Sequence, residues 1–79
     1  MEIDEDKVDD AVLALLQLTL HGDHGLHRAW KGHDWDAMNR LHEKGMISDP
    51  VGKAKSVVLT EEGLKRSEEL FRRLFAKDG

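Results

Sequence analysis

The segment from Leu41 to Gly63 constrains the fold of this chain more than any other, because it spells out one helix end, two short extended runs and a new helix start. Leu41-His42-Glu43-Lys44 closes an amphipathic run, and Gly45 sits where a glycine commonly adopts left-handed backbone after a helix. Met46-Ile47-Ser48 and Ser56-Val57-Val58-Leu59 read as two short strands. Between them Asp49-Pro50-Val51-Gly52 carries the residue preferences of a type I turn, which leaves Lys53 and Lys55 at a hairpin tip. Thr60 then caps a helix whose first turn holds Glu61 and Glu62.

The flanking segments read as helices. Asp4 is placed to cap the first, and the acids after it suit the positive end of a helix dipole. From Ala11 to Leu20 only Gln17 and Thr19 are not apolar, so this helix must be covered on more than one side. The cover is either a second chain, with Val12, Leu13, Leu16 and Leu20 as the dimer interface, or the rest of the same chain. His21 to Gly25 ends the helix, and Leu26, Ala29 and Trp30 at i, i+3 and i+4 predict a second one over 26–31. Gly32-His33 is the expected turn. Asp34 caps a third helix running through Lys44, with Trp35, Met38, Leu41 and His42 on one side. Trp30 and Trp35, on either side of the turn, read as core anchors of these two helices, ahead of the alternative of an aromatic surface pair that stacks bases or a partner peptide. The last helix turns Leu64, Ser67, Leu70, Phe71, Leu74 and Phe75 inward, and its outward bases each follow a glutamate by four residues: Glu61 with Lys65, Glu62 with Arg66, Glu68 with Arg72, Glu69 with Arg73.

These elements predict a mainly α fold with a small β-hairpin, winged helix-turn-helix-like, with about four helices and a two-stranded wing in a single domain over residues 1–79. The runs Leu41 to Ile47 and Ser56 to Gly63 resemble the third-helix end, wing and following helix of winged-helix transcription regulators. Arg28-Ala29-Trp30-Lys31-Gly32, Asp34-Trp35-Asp36, Leu41-His42-Glu43-Lys44-Gly45 and the run from Ser48 to Thr60 are together similar to a family of small bacterial domains of unknown function. That resemblance implies a bacterial, cytoplasmic origin and carries no activity with it.

Charge decides how the fold is read. Residues 1–10 hold six acids against Lys7, and the other 69 residues hold ten acids and eleven bases. A nucleic-acid reader ordinarily concentrates base on one surface, since counterion release from phosphate drives its affinity. Here Asn39, Arg40 and Lys44 stand where a recognition helix meets base edges, and Lys53 and Lys55 where a wing meets phosphate, but Asp34, Asp36 and Glu43 repel the same backbone. His21, His24 and His27 form a spaced run with Asp23 inside it; i, i+3, i+6 ligands converge poorly on zinc, and a polar connector is the simpler reading. With no cysteine, neither a disulfide nor a thiolate metal site is available. The acidic start lacks the basic region of a signal peptide, and the longest apolar run, Ala11 to Leu16, is far short of the roughly 20 residues that span a bilayer. No phosphate loop or nucleophile elbow occurs.

The expectation is therefore a non-catalytic, cytoplasmic interaction module without cofactor or metal, a homodimer through the first helix and the last, with a protein partner as the secondary expectation. The rival is a sequence-specific DNA-binding regulator using helix 34–44 and hairpin 46–59.

Overall fold

The computed structural model describes residues 1–23 and 25–77, with the Asp23 side chain left aside. Three α-helices and a three-stranded antiparallel sheet alternate along the chain: α1 (Glu5–Leu15), a 3₁₀ turn (Leu16–Thr19), β1 (His21–Asp23), β2 (Leu26–Trp30), α2 (Trp35–Glu43), β3 (Ser56–Val58) and α3 (Glu61–Phe75). The strand order is β1-β2-β3. This replaces the expected winged helix-turn-helix-like arrangement of about four helices and a two-stranded wing with a small mixed α/β domain.

The correction falls on residues 21–31. Where a connector and a second helix were expected, His21–Asp23 and Leu26–Trp30 form a hairpin, with Gly25 in the turn at φ 80°. Arg28, Ala29 and Trp30 then pair with Val58, Val57 and Ser56 of β3. The reason is backbone satisfaction: a strand at β2 supplies partners to both neighbours, and the helical spacing of Leu26, Ala29 and Trp30 buries only Ala29. The expected strand at 46–48 shrinks to a single bridge between Ile47 and Leu59. Beside that bridge the Ser48 N–H donates to the Val58 carbonyl at 2.8 Å, and the Val58 N–H donates to Ser48 Oγ at 2.9 Å, so a hydroxyl stands in for a ladder carbonyl.

The predicted helix signals behave as read. Asp4, Asp34 and Thr60 each cap a helix through a side-chain oxygen, and Gly45 has φ 79°. Thr60 also ties the last helix to the end of the second, its hydroxyl donating to the Gly45 carbonyl at 2.7 Å. Three residues on, Gly63 lies directly over the Met46 carbonyl, where any Cβ would overlap main-chain atoms. Glycine is thus required for α3 to start so close to the preceding segment.

α1 is the central element, packed against both α2 and α3. Its Val12, Leu13 and Ala14 and the following Leu16 join Ala29, Ala37, Met38, Leu41, Ile47, Val57, Leu59 and Leu70 in one core. The buried residues of this apolar run are covered by their own chain, while Leu18 in the 3₁₀ turn is 68% exposed. On α3, Ser67 is buried, donates to the Leu13 carbonyl at 2.6 Å and accepts from Gln17 Nε2 at 3.0 Å. The expected inward face of α3 holds through Leu70 and the half-buried Phe71, whereas Leu74 and Phe75 are exposed at its end.

Candidate functional site

Among the described residues a buried ion cluster between α1 and α2 and an exposed tryptophan on the outer face of the sheet stand apart from the core.

Asp9 occupies a core position. It precedes Val12, Leu13 and Leu16 by three, four and seven residues, the spacing of one helix face, and its side chain is only 1% exposed. A carboxylate there requires cationic partners, and two are at hand one turn apart, Arg40 on α2 and Lys44 at its C-cap. Arg40 Nε lies 2.9 Å from both Asp9 oxygens and Nη2 lies 2.8 Å from Oδ1, while Lys44 Nζ lies 2.8 Å from Oδ2. Glu5 takes Arg40 Nη1 at 2.9 Å and Asp6 takes Lys44 Nζ at 3.1 Å. Burial alone raises the Asp9 carboxyl, but the hydrogen bonds and charges of Arg40 and Lys44 together outweigh it and hold the group below its ordinary value. Lys44 is raised in turn, first by its hydrogen bond to Asp9. The acidic start of the chain is therefore the counter-charge of α2.

The tryptophan site lies on the sheet. Ala29 faces the core, so its neighbour Trp30 faces outward, and Trp30 is 59% exposed. Trp35 is 50% exposed. Neither is the core anchor expected from the sequence, because the helix in which Trp30 would have packed is a strand and Trp35, at the first position of α2, is left half-exposed. Trp30, Lys31, Gly32 and Lys55 line an open, largely apolar cleft of about 310 Å³. Its walls are fixed by four bonds: Thr19 Oγ1 accepts the Trp30 N–H at 2.9 Å, the Lys55 carbonyl accepts the Lys31 N–H at 3.1 Å, and Lys31 Nζ donates to the Pro50 and Gly52 carbonyls at 2.7 and 2.9 Å. A methyl group added at Gly32 would rest 3.8 Å from Trp30 Cε3, so the absence of a side chain keeps that part of the indole bare.

The other residues singled out by sequence are dispersed. Arg40 and Lys44, read as base-contacting, point into the ion cluster; their side chains are 24% and 39% exposed. Asn39 is half-buried beside them, and Lys53 and Lys55 stand exposed on the loop before β3. Val12, Leu13 and Leu16 are core residues and Leu20 packs partly against them, so none of the first three offers a face to a second chain. His24 lies outside the described residues. Gly22 pairs with His27 and His21 with Arg28, so His21 and His27 fall on opposite faces of the sheet. Among the described residues no three histidine or carboxylate side chains converge in a way that would hold a metal, and no helix is long and apolar enough to cross a membrane.

Sequence reasoning missed Asp9 and placed an aromatic surface at Trp30 second to a core role. The Asp9 signal was present in its spacing from the apolar stripe; the outward face of Trp30 is decided only once 26–30 is known to be a strand.

Residues 4–77 match a family described as a domain of unknown function, DUF6429. The chain is also 69% identical over 77 residues to a protein named uncharacterized protein y4hR from the bacterium Sinorhizobium fredii (strain NBRC 101917 / NGR234), a match spanning 98% of this chain and 100% of that protein. No solved structure matches it.

Proposed function

The chain belongs to the DUF6429 family of domains of unknown function, and from that premise we propose that it is a non-catalytic interaction module of the bacterial cytoplasm whose contact surface is the Trp30 face of the sheet. The observation that carries this reading is the exposure of Trp30 over the apolar cleft it forms with Lys31, Gly32 and Lys55. A large aromatic left in water at a rigid, hydrogen-bonded position is the kind of anchor that dominates protein contacts. Lys53 and Lys55 at its margin favour a partner that brings carboxylates.

The DNA-binding reading loses support from the ion cluster. Two of its five residues, Arg40 and Lys44, already neutralise Asp9, Glu5 and Asp6, and using them on phosphate would strand a buried carboxylate.

The test compares wild-type protein with Gly32→Leu, whose side chain fills the cleft without entering the core. Immobilised wild type should retain a bacterial protein that Gly32→Leu loses, and a random labelled duplex should give no anisotropy change at about 50 mM salt. Equal retention by both proteins would defeat the reading. Salt-sensitive duplex binding would replace it with the DNA-binding alternative.

A further inference from the structure

We propose that the partner of the Trp30 cleft is a second copy of this chain, which inserts Ile3 with its flanking Glu2 and Asp4. The proposal rests on the interaction reading above and names its occupant.

The two surfaces are complementary in chemistry. The cleft offers the apolar face of Trp30, the open space beside Gly32 and the amine of Lys55, with Lys53 two residues away and no carboxylate among the lining residues. The segment before α1 offers the converse: Ile3 is 66% exposed, and both of its neighbours in sequence are acids. Ile3 also borders a surface cleft with Glu5, Val8, Asp34, Asp36 and Arg40, which gives its surroundings a predominantly acidic rim. The molecule thus carries an apolar patch rimmed by base and a second rimmed by acid, and this complementarity of charge is what pairs them between two copies. Each patch is small, so the association is weak, on the order of micromolar or weaker, and sensitive to salt.

The experiment is light scattering of the full chain across a concentration series at low salt, read together with Trp30 emission in a Trp35→Phe background. The expected result is a mean mass that rises above the 9.0 kDa chain mass with concentration and falls back as salt is added, with Trp30 emission shifting to the blue as mass increases. Gly32→Leu and Ile3→Ser should each hold the mass at that of one chain, and circular dichroism of both should match the wild type. A charge exchange gives the sharper result. Lys53→Glu/Lys55→Glu and Glu2→Lys proteins should each be monomeric alone and associate when mixed.

A wild type that stays at one chain mass up to about millimolar concentration overturns the proposal, as does association that persists in both Gly32→Leu and Ile3→Ser. A monomeric wild type that still retains a different protein through a Gly32→Leu-sensitive contact overturns self-association alone and leaves the interaction reading standing. Quenching of Trp30 by a single-stranded oligonucleotide in a monomeric protein overturns both.

Discussion

Arg40 holds Asp9 from two directions, with Nε 2.9 Å from each carboxylate oxygen and Nη2 2.8 Å from Oδ1. Because Asp9 is on the buried face of α1 and Arg40 on α2, this one contact joins two helices and satisfies a charge that neither helix could keep alone. Asp9→Asn keeps the volume but removes the charge that Arg40 and Lys44 face. We expect a loss of about 3 kcal/mol, the lower part of the range for breaking a buried pair, since both cations reach water. Glu5→Gln, at the exposed edge of the same cluster, should cost under about 0.5 kcal/mol. Urea unfolding of the two variants measures the contrast.

The same cluster sets a pH dependence. The Asp9 carboxyl is held below its ordinary value in the folded chain, so its stabilising contribution is complete above the unfolded value, near pH 4, and is lost as pH falls through the lower folded value. Lys44 is shifted upward, so its contribution is complete below about pH 10 and is lost only as pH rises through its raised folded value. Stability of the wild type should therefore drop on acidification below about pH 4 more steeply than that of Asp9→Asn. Parallel acid slopes for the two proteins in denaturant titrations would contradict this account.

Gly63 is fixed by close approach rather than by backbone conformation, for it lies inside α3 and no Cβ fits against the Met46 main chain. Gly63→Ala would ordinarily favour a helix, but here the start of α3 must move off the carbonyl that also accepts the Thr60 N–H at 3.0 Å. The expected cost is about 3 kcal/mol, read as a fall in melting temperature. Gly22→Ala, where nothing lies near the added methyl, should change stability by less than about 1 kcal/mol.

Gly32→Leu should act on the surface and not on the fold. Its side chain is expected to cover part of the Trp30 ring, so in a Trp35→Phe background acrylamide quenching should fall and emission shift to the blue. Unfolding free energy should stay within about 1 kcal/mol of the parent.

Ser67→Ala removes the hydroxyl that ties α3 to the Leu13 carbonyl of α1 and to Gln17 in the 3₁₀ turn. Both groups then lose a partner in the core or at its edge, at a cost of about 1–2 kcal/mol in urea unfolding.

What the sequence alone determined is local. Asp4, Asp34 and Thr60 cap helices because a short side-chain oxygen next to an apolar run has one nearby use, and Gly45 turns left-handed because little else can. Family membership was legible for the same reason, since runs such as Ser48 to Thr60 are carried in the order of residues. The tertiary structure decided everything that depends on a distant partner. Leu26 to Trp30 carries helical spacing, yet it becomes a strand because β1 and β3 offer its backbone partners on both sides, and that single change sends Trp30 into solvent. The apolar α1 needed cover from two sides, and only the tertiary structure shows α2 and α3 packed on it over Val12, Leu13 and Ala14. Arg40 and Lys44 looked available for phosphate until Asp9, thirty-one residues from Arg40 along the chain, was placed between them. Short-range preferences fix caps and turns because their partners lie within a few residues; strand pairing and the destination of a charge are fixed by groups that only folding brings near.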